Sequence, residues 1–556
     1  MKDWYWLNEN AIGFLKRGYL AEGQTTQERV KIIGDRAEGI LGREGFSEKF
    51  QGYMAKGWIS LASPVWSNFG TTKGLPISCF GSYIDDTMGS ILYTQAEVGM
   101  MSKVGGGCSG YFGDLRGRGE AISGNGESSG AVHFMQMFET LMDVISQGSV
   151  RRGSFSPYLP TSHPDIMEFL EIAAEGNPIQ KLTHGVTVSD KWMKEMIDGD
   201  EEKRVVWAKV LQSRKDVGYP YVLFVDNANN QKPQVYKDKK KEILASNLCN
   251  EIMLPSSKEW SFVCCLSSLN LLHFDEWKDT DLVETMISFL DAVMSDFITK
   301  LEEMRDSEDE EQNHMYLFMK RAHAFAKENR ALGMGVLGYH SYLQGKNIPF
   351  ESEEAEKANK KIFKTIQSQA DKATEKLAEE LGEPEILKGY GRRNTTTMAL
   401  APTTSSAFIL GQVSQGIEPI WSNCYVKDVA KARVVIKNNQ LMEILEELGQ
   451  NTTQVWASIR DHDGSVQHLE WLHSDIKEVF KTFGELDQYK VLKQASDRQK
   501  HIDQGQSLNV KVSPEITAKE MNQLMIYAWE NGIKGMYYQH SESAAQSMVR
   551  KKKNQA

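Results

Sequence analysis

The chain holds six cysteines in 556 residues, at positions 79, 108, 249, 264, 265 and 424. That is too sparse for the disulfide framework of a small secreted domain, so the thiols are expected to be reduced at rest. No CxxC and no zinc-type pairing of cysteine with histidine occurs, and no structural metal is expected. No apolar run reaches the roughly 18 residues that span a bilayer. The N-terminus, Met1-Lys2-Asp3-Trp4, lacks the apolar core of a signal peptide, which points to a cytoplasmic protein. Excess positive charge is missing too. A net charge of −11 argues against a surface that coats nucleic acid, and the basic run Arg550 to Lys553 reads as a solvated tail. The glycine-rich stretch from Gly105 to Gly130 contains no GxxxxGK[ST], which excludes a P-loop.

What remains is an ordinary globular composition, 40% hydrophobic and 25% charged. Residues 1–58 read as a helical N-terminal region with apolar faces from Trp4, Trp6, Leu7, Ile12, Phe14 and Leu15. From 59 to 556 short apolar runs alternate with glycine-rich turns and helices, the texture of an α/β fold. One helix is predicted from an N-cap at Ser352 to Leu381, stopped by Gly382 and Pro384. Its buried stripe is Ile362, Ile366, Ala370, Ala373, Leu377 and Leu381. The acidic run Asp306 to Glu311 reads as an exposed helix end or loop. Gly333-Met334-Gly335-Val336-Leu337-Gly338 matches GxGxxG but follows the polar, helical-looking Lys320 to Arg330, so a Rossmann reading is rejected.

Three segments carry chemistry. In Asn247-Leu248-Cys249-Asn250-Glu251, an extended or loop backbone sends Asn247, Cys249 and Glu251 to one side. A lone cysteine is ordinarily a small core residue. Two polar groups turned toward one thiol suit a site instead, because burying them unpaired costs about 1–3 kcal/mol each. The carboxylate suits a general base, the amide a hydrogen-bond donor, and the thiol redox or radical work. In Phe262-Val263-Cys264-Cys265-Leu266, which reads as a strand, alternation sends the two cysteines to opposite faces, so at most one joins Cys249. Cys79 is a further candidate partner; Cys108 and Cys424 read as structural. Tyr537-Tyr538 is ordinary packing if the rings diverge, and a short electron and proton path if they stack. A fourth segment, Ala401 to Ser406, offers hydroxyls and backbone N–H groups, an anion site or a simple cap if a helix begins there.

In this order, and with Ser63-Pro64, Ser78-Cys79, Gly148 to Gly153, Leu332 to Gly338 and Gly416-Ile417-Glu418-Pro419, the chain resembles the large (α) subunit of class I ribonucleotide reductases. The resemblance covers nearly everything after the first few dozen residues. It implies a ten-stranded α/β barrel with a central finger loop carrying Cys249. It implies that Cys249 becomes a thiyl radical that takes the ribose 3′ hydrogen, that Glu251 takes the 3′-hydroxyl proton and that Asn247 hydrogen-bonds the substrate. Cys79 and Cys264 would reduce the 2′ position and close a disulfide. Ser63 and Ser78 would contact the ribose end, and Thr404, Ser405 and Ser406 the diphosphate. Asp86, Arg116, Ser149 and Arg151 would hold a deoxynucleoside triphosphate or ATP effector at a dimer edge. The tyrosine pair implies a metal-containing small (β) subunit as radical donor, with no radical cofactor on this chain. A cobalamin-dependent relative, which needs no such pair, and a non-catalytic nucleotide-binding relative are the alternatives. Thioredoxin or glutaredoxin would be the reductant, and the effector-bound form a homodimer. Two departures are expected: no ATP-cone before Gly57, and no C-terminal cysteine pair.

Overall fold

The computed structural model describes residues 3–147, 151–429 and 432–541. Five strands run parallel side by side: Cys79–Tyr83, Gly107–Tyr111, Ser154–Pro160, Gly185–Val188 and Tyr221–Phe224. At one edge Cys79–Tyr83 meets Phe262–Asn270 antiparallel, with Cys79 opposite Cys264. Phe262–Asn270 in turn runs parallel to Leu332–Leu337. At the other edge Tyr221–Phe224 pairs antiparallel with Gly535–Met536. Extended segments bridge the remaining gap. Met334 pairs with Met398 and Leu400 with Gln506. Tyr537 N then donates to Leu508 O at 2.9 Å, and Val510 N to Tyr538 O at 3.1 Å. This circuit closes a ten-stranded α/β barrel of two parallel halves joined antiparallel. Parallel strands covered on both faces read as unbroken apolar runs. Gly185–Val188 and Tyr221–Phe224 are buried at every residue.

Helices wrap the outside. Leu282–Arg305 packs against Glu353–Leu381, whose N-cap Ser352 accepts from Ala355 N. The predicted stripe of that helix is buried except for Leu381, the last residue of the helix, which is 38% exposed. Asp306 to Glu311 spans the exposed turn between Leu282–Arg305 and the helix Glu310–Leu317. At the start of the chain, helices Glu9–Leu15, Thr26–Leu41 and Phe46–Ala55 share one apolar cluster with the barrel. Arg29 fastens the second of them by donating to the carbonyls of Val65, Trp66 and Phe69. Among the described residues no helix is long and apolar enough to cross a membrane.

The segment around Asn247 to Glu251 threads the barrel and touches both halves. Tyr158 of the first half donates its hydroxyl to Asn247 O at 2.8 Å. From the second half, Ser507 Oγ donates to Cys249 O at 2.6 Å and Gly505 N to Glu251 O at 2.8 Å. Asn250 turns the tip with a φ of 63°, a left-handed conformation that asparagine tolerates better than most side chains. Leu332–Leu337, holding the GxGxxG match, is itself a strand preceded by the helix Lys320–Asn329. Its first glycine is explained by packing: a Cβ at Gly333 would lie 2.5 Å from Leu266 Cδ2 and 2.8 Å from Cys264 Sγ.

Candidate active site

A cavity of about 480 Å³ opens where the second-half strands end. Ser63, Ser78, Cys79, Cys249, Glu251, Thr404, Ser405, Ser406, Tyr537 and Tyr538 all line it. Residues from Ser60 to His540 meet there only because the barrel closes. Cys79 faces the cavity, and Cys264 stands directly opposite it on the neighbouring strand, 1% exposed. Directly opposed residues on antiparallel strands hold their Cβ atoms about 4.5–5.5 Å apart, at the upper edge of the roughly 3.5–4.5 Å that a disulfide spans, so the two strands must draw slightly together for the thiols to join. Cys265, next along the strand, has Asp291, Cys79 and Arg330 as its charged or titratable neighbours.

Cys249 and Glu251 line the cavity wall, while Asn247 lies behind them, folded back onto the loop. Its Oδ1 accepts from Glu251 N at 3.0 Å and Ile252 N at 3.1 Å, which fixes the turn that presents the other two. Burial pushes the Glu251 carboxyl up to about 7; hydrogen bonds from Asn247, its own backbone and Ser507 hold it from going higher. A carboxyl poised there exchanges a proton readily at neutral pH. Burial likewise drives the Cys264 thiol well above its ordinary value, so it is protonated at rest.

The tyrosine rings touch but do not lie parallel: the Tyr537 and Tyr538 centroids are 4.5 Å apart at 56°. Tyr537 hydrogen-bonds to Cys249, and Tyr538 hydrogen-bonds to Tyr537. Burial raises both phenols, so both are neutral hydrogen donors. Two phenols and one sulfur thus share one part of the cavity wall. Ala401 to Ser406 does lead into a helix, Thr404–Ile409. Its cap, Thr403, uses Oγ1 to accept from Gly416 N at 2.7 Å, which leaves the hydroxyls of Thr404 to Ser406 along the wall.

Away from the cavity, Arg116 Nε donates to Asp86 Oδ2 at 2.6 Å, so these two candidates are brought together. Ser149 lies outside the described residues, and Arg151 falls in a two-residue strand paired with Ser146–Gln147.

Several further residues of the site were not assigned a role from the sequence. Glu418, within the Gly416 to Pro419 match, lines the cavity half-buried, and burial lifts it to about 7 against hydrogen bonds from Trp421 Nε1 at 2.6 Å and Asn509. His540 is held down to about 4, first by burial, and is a neutral imidazole on the wall. Tyr221 packs its ring 4.7 Å from Tyr537 and 5.1 Å from Tyr538. Only the closed barrel places them.

The ribonucleotide reductase barrel-domain model matches residues 77–203, 200–386 and 384–539. The chain belongs to the ribonucleotide reductase family. It is 36% identical over 516 residues to a putative ribonucleoside-diphosphate reductase large subunit of Frog virus 3 (isolate Goorha), covering 89% of this chain and 88% of that one. To the ribonucleoside-diphosphate reductase large subunit of Invertebrate iridescent virus 3 it is 32% identical, covering 95% and 93%. A solved structure, the class Id ribonucleotide reductase alpha subunit of Actinobacillus ureae, superposes with a TM-score of 0.91 at 53% identity, covering 98% of this chain and 99% of that one. The chain is therefore an oxidoreductase of the ribonucleoside-diphosphate reductase type and a class I large subunit, and that class implies a separate subunit as radical source.

Proposed function

We propose that the cavity binds a ribonucleoside diphosphate and that its residues reduce the 2′ position as follows. Thr404, Ser405 and Ser406 take the diphosphate, and Ser63 and Ser78 the ribose end. The partner small subunit, metal-containing, withdraws an electron through Tyr538 and Tyr537. Tyr537, as a phenoxyl, takes the hydrogen atom of Cys249 across their hydrogen bond, leaving a thiyl at Cys249 and a phenol at Tyr537. The thiyl takes the 3′ hydrogen. Glu251 accepts the 3′-hydroxyl proton, and Asn247 holds the loop and bonds the substrate. The 2′-hydroxyl leaves as water with a proton from the Cys79–Cys264 pair. These two thiols supply the two electrons and become a disulfide, and Cys249 returns its hydrogen to C3′. Thioredoxin or glutaredoxin then restores the pair. Asp86 and Arg116, with Ser149 and Arg151, hold a nucleoside triphosphate effector at the edge of a homodimer.

The observation that carries this reading is one cavity walled by Cys79, Cys249, Glu251 and the Tyr537–Tyr538 pair, with Cys264 opposite Cys79. The test is CDP reduction by the chain with its small subunit. Product should require that subunit and should not be supported by adenosylcobalamin alone. Turnover with adenosylcobalamin and no small subunit would overturn the class I pathway.

A further inference from the structure

Among the described residues, Gln504 is the side-chain donor at Cys264. Gln504, fully buried, directs Nε2 at Cys264 Sγ at 3.3 Å, and at Leu332 O and Thr396 Oγ1 at 3.0 Å each. The amide cannot flip, because its Oε1 is committed to Met253 N at 3.0 Å. Its backbone is equally fixed: Gln504 N donates to Met398 O at 3.1 Å, and its carbonyl accepts from Lys534 Nζ at 2.8 Å and Gln499 Nε2 at 2.9 Å. On another side Gly333 approaches so closely that a Cβ there would stand 2.8 Å from the sulfur. Cys79, by contrast, opens onto the cavity.

The two sulfurs of a Cys79–Cys264 disulfide are therefore unequal. An incoming thiolate can reach Cys79 from the cavity, whereas Cys264 is enclosed by Gln504, Gly333 and the barrel wall. Thiol–disulfide exchange depends on which sulfur is accessible and on how well the other is stabilised as it leaves. A buried sulfur leaving as an anion needs a donor, and an N–H bonded to a charged atom is worth more than one bonded to a neutral atom.

We infer that Gln504 is the positioning residue for re-reduction: the reducing dithiol attacks Cys79, and Cys264 leaves as a thiolate onto the Gln504 amide. This rests on the reading above that Cys79 and Cys264 close a disulfide during turnover. The dithiol's first thiolate bonds to Cys79 Sγ, the Cys79–Cys264 bond breaks, and its electron pair goes to Cys264 Sγ. The dithiol's second thiolate then attacks its own partner sulfur in the mixed disulfide, releasing Cys79 as a thiolate. The dithiol is oxidised to a disulfide, and both cysteines take up protons. Burial holds the Cys264 thiol high, and the Gln504 hydrogen bond acts against it in the direction this step requires.

The test starts with the unmodified full-length chain, its pair oxidised with diamide, exposed to glutathione, quenched in acid and mapped by mass spectrometry. Glutathione should be on Cys79, with Cys264 a free thiol. Glutathione on Cys264, or divided evenly, would overturn the inference. A second arm uses Gln504→Glu, which keeps the acceptor for Met253 N and removes the donor to sulfur. Its disulfide should be reduced by dithiothreitol about tenfold more slowly or worse, the effect of losing one hydrogen bond to a charged atom. A rate equal to that of the unmodified chain would count against Gln504. If the variant does not fold, the adduct position decides alone. Failure of the underlying reading is distinct: turnover would then leave Cys79 and Cys264 as thiols, even where diamide joins them.

Discussion

Two cavities of similar size lie at opposite ends of the second-half strands. One, about 480 Å³, lies beyond Leu400 and is walled by Ala401 to Ser406 and Asn509; the other, about 470 Å³, lies before Met398 and is walled by Thr395, Thr397 and Asp503. In the second, polar groups are spent on the protein itself. Arg392 pairs with Asp371 at 2.9 Å, His501 meets Gln367 at 2.6 Å, and Asp503 accepts from Thr397 N and Met398 N. In the first, burial leaves two carboxyls near 7 and sets thiols and neutral phenols on the wall. Volume does not distinguish them. Nor does a raised carboxyl, since burial lifts Asp503 as well; the thiols and neutral phenols on the first wall do.

The contrast is sharpest at Cys249. Cys249→Ser should reduce deoxynucleotide formation below detection in an assay with the small subunit, while nucleotide binding, followed by equilibrium dialysis, persists. Tyr538→Phe should do nearly the same to small-subunit-driven turnover, because a phenylalanine cannot carry the hole; retained activity would break the relay. Glu251→Gln should cost about 10²–10⁴ in kcat, the range of a general base.

The same carboxyl gives a pH test. Its folded pKa lies above its unfolded value, so the fold is penalised above the unfolded value near 4.5, increasingly up to about 7, and relieved below. Glu251→Gln should therefore raise stability at pH 8 by roughly 2–3 kcal/mol and change little at pH 4, as read by denaturant titration. The native enzyme should gain activity as pH rises through about 7. The smallest effect belongs to the other cavity. Arg392→Ala should leave kcat within about twofold and stability within about 1 kcal/mol, since partly exposed ion pairs contribute little.

Local patterns in the chain carried further than distant ones. The helix Glu353–Leu381 was readable from its cap and stripe because both are set by neighbours three and four residues away. That Phe262 to Leu266 is a strand, with Cys264 directly opposite Cys79, was half legible: the strand is local, the partner is not. The placement of Asn247 behind the wall was not readable: alternation assumed an extended segment, and the loop turns at Asn250 with its amide capping the turn. Gln504 and Tyr221 carried no signal, because each gains its partner only when strands far apart in sequence close the circuit. The order of motifs in the chain, and not any spacing, tied Cys79 to Cys249.

The most direct measurement is a single turnover. Pre-reduced chain, its small subunit and CDP are mixed without external reductant, then quenched for product and for thiol mapping. The account predicts about one dCDP per competent site and a new disulfide joining Cys79 to Cys264, with Cys249 still a thiol. Product formed while Cys79 and Cys264 remain reduced, or a disulfide that includes Cys249, would contradict it.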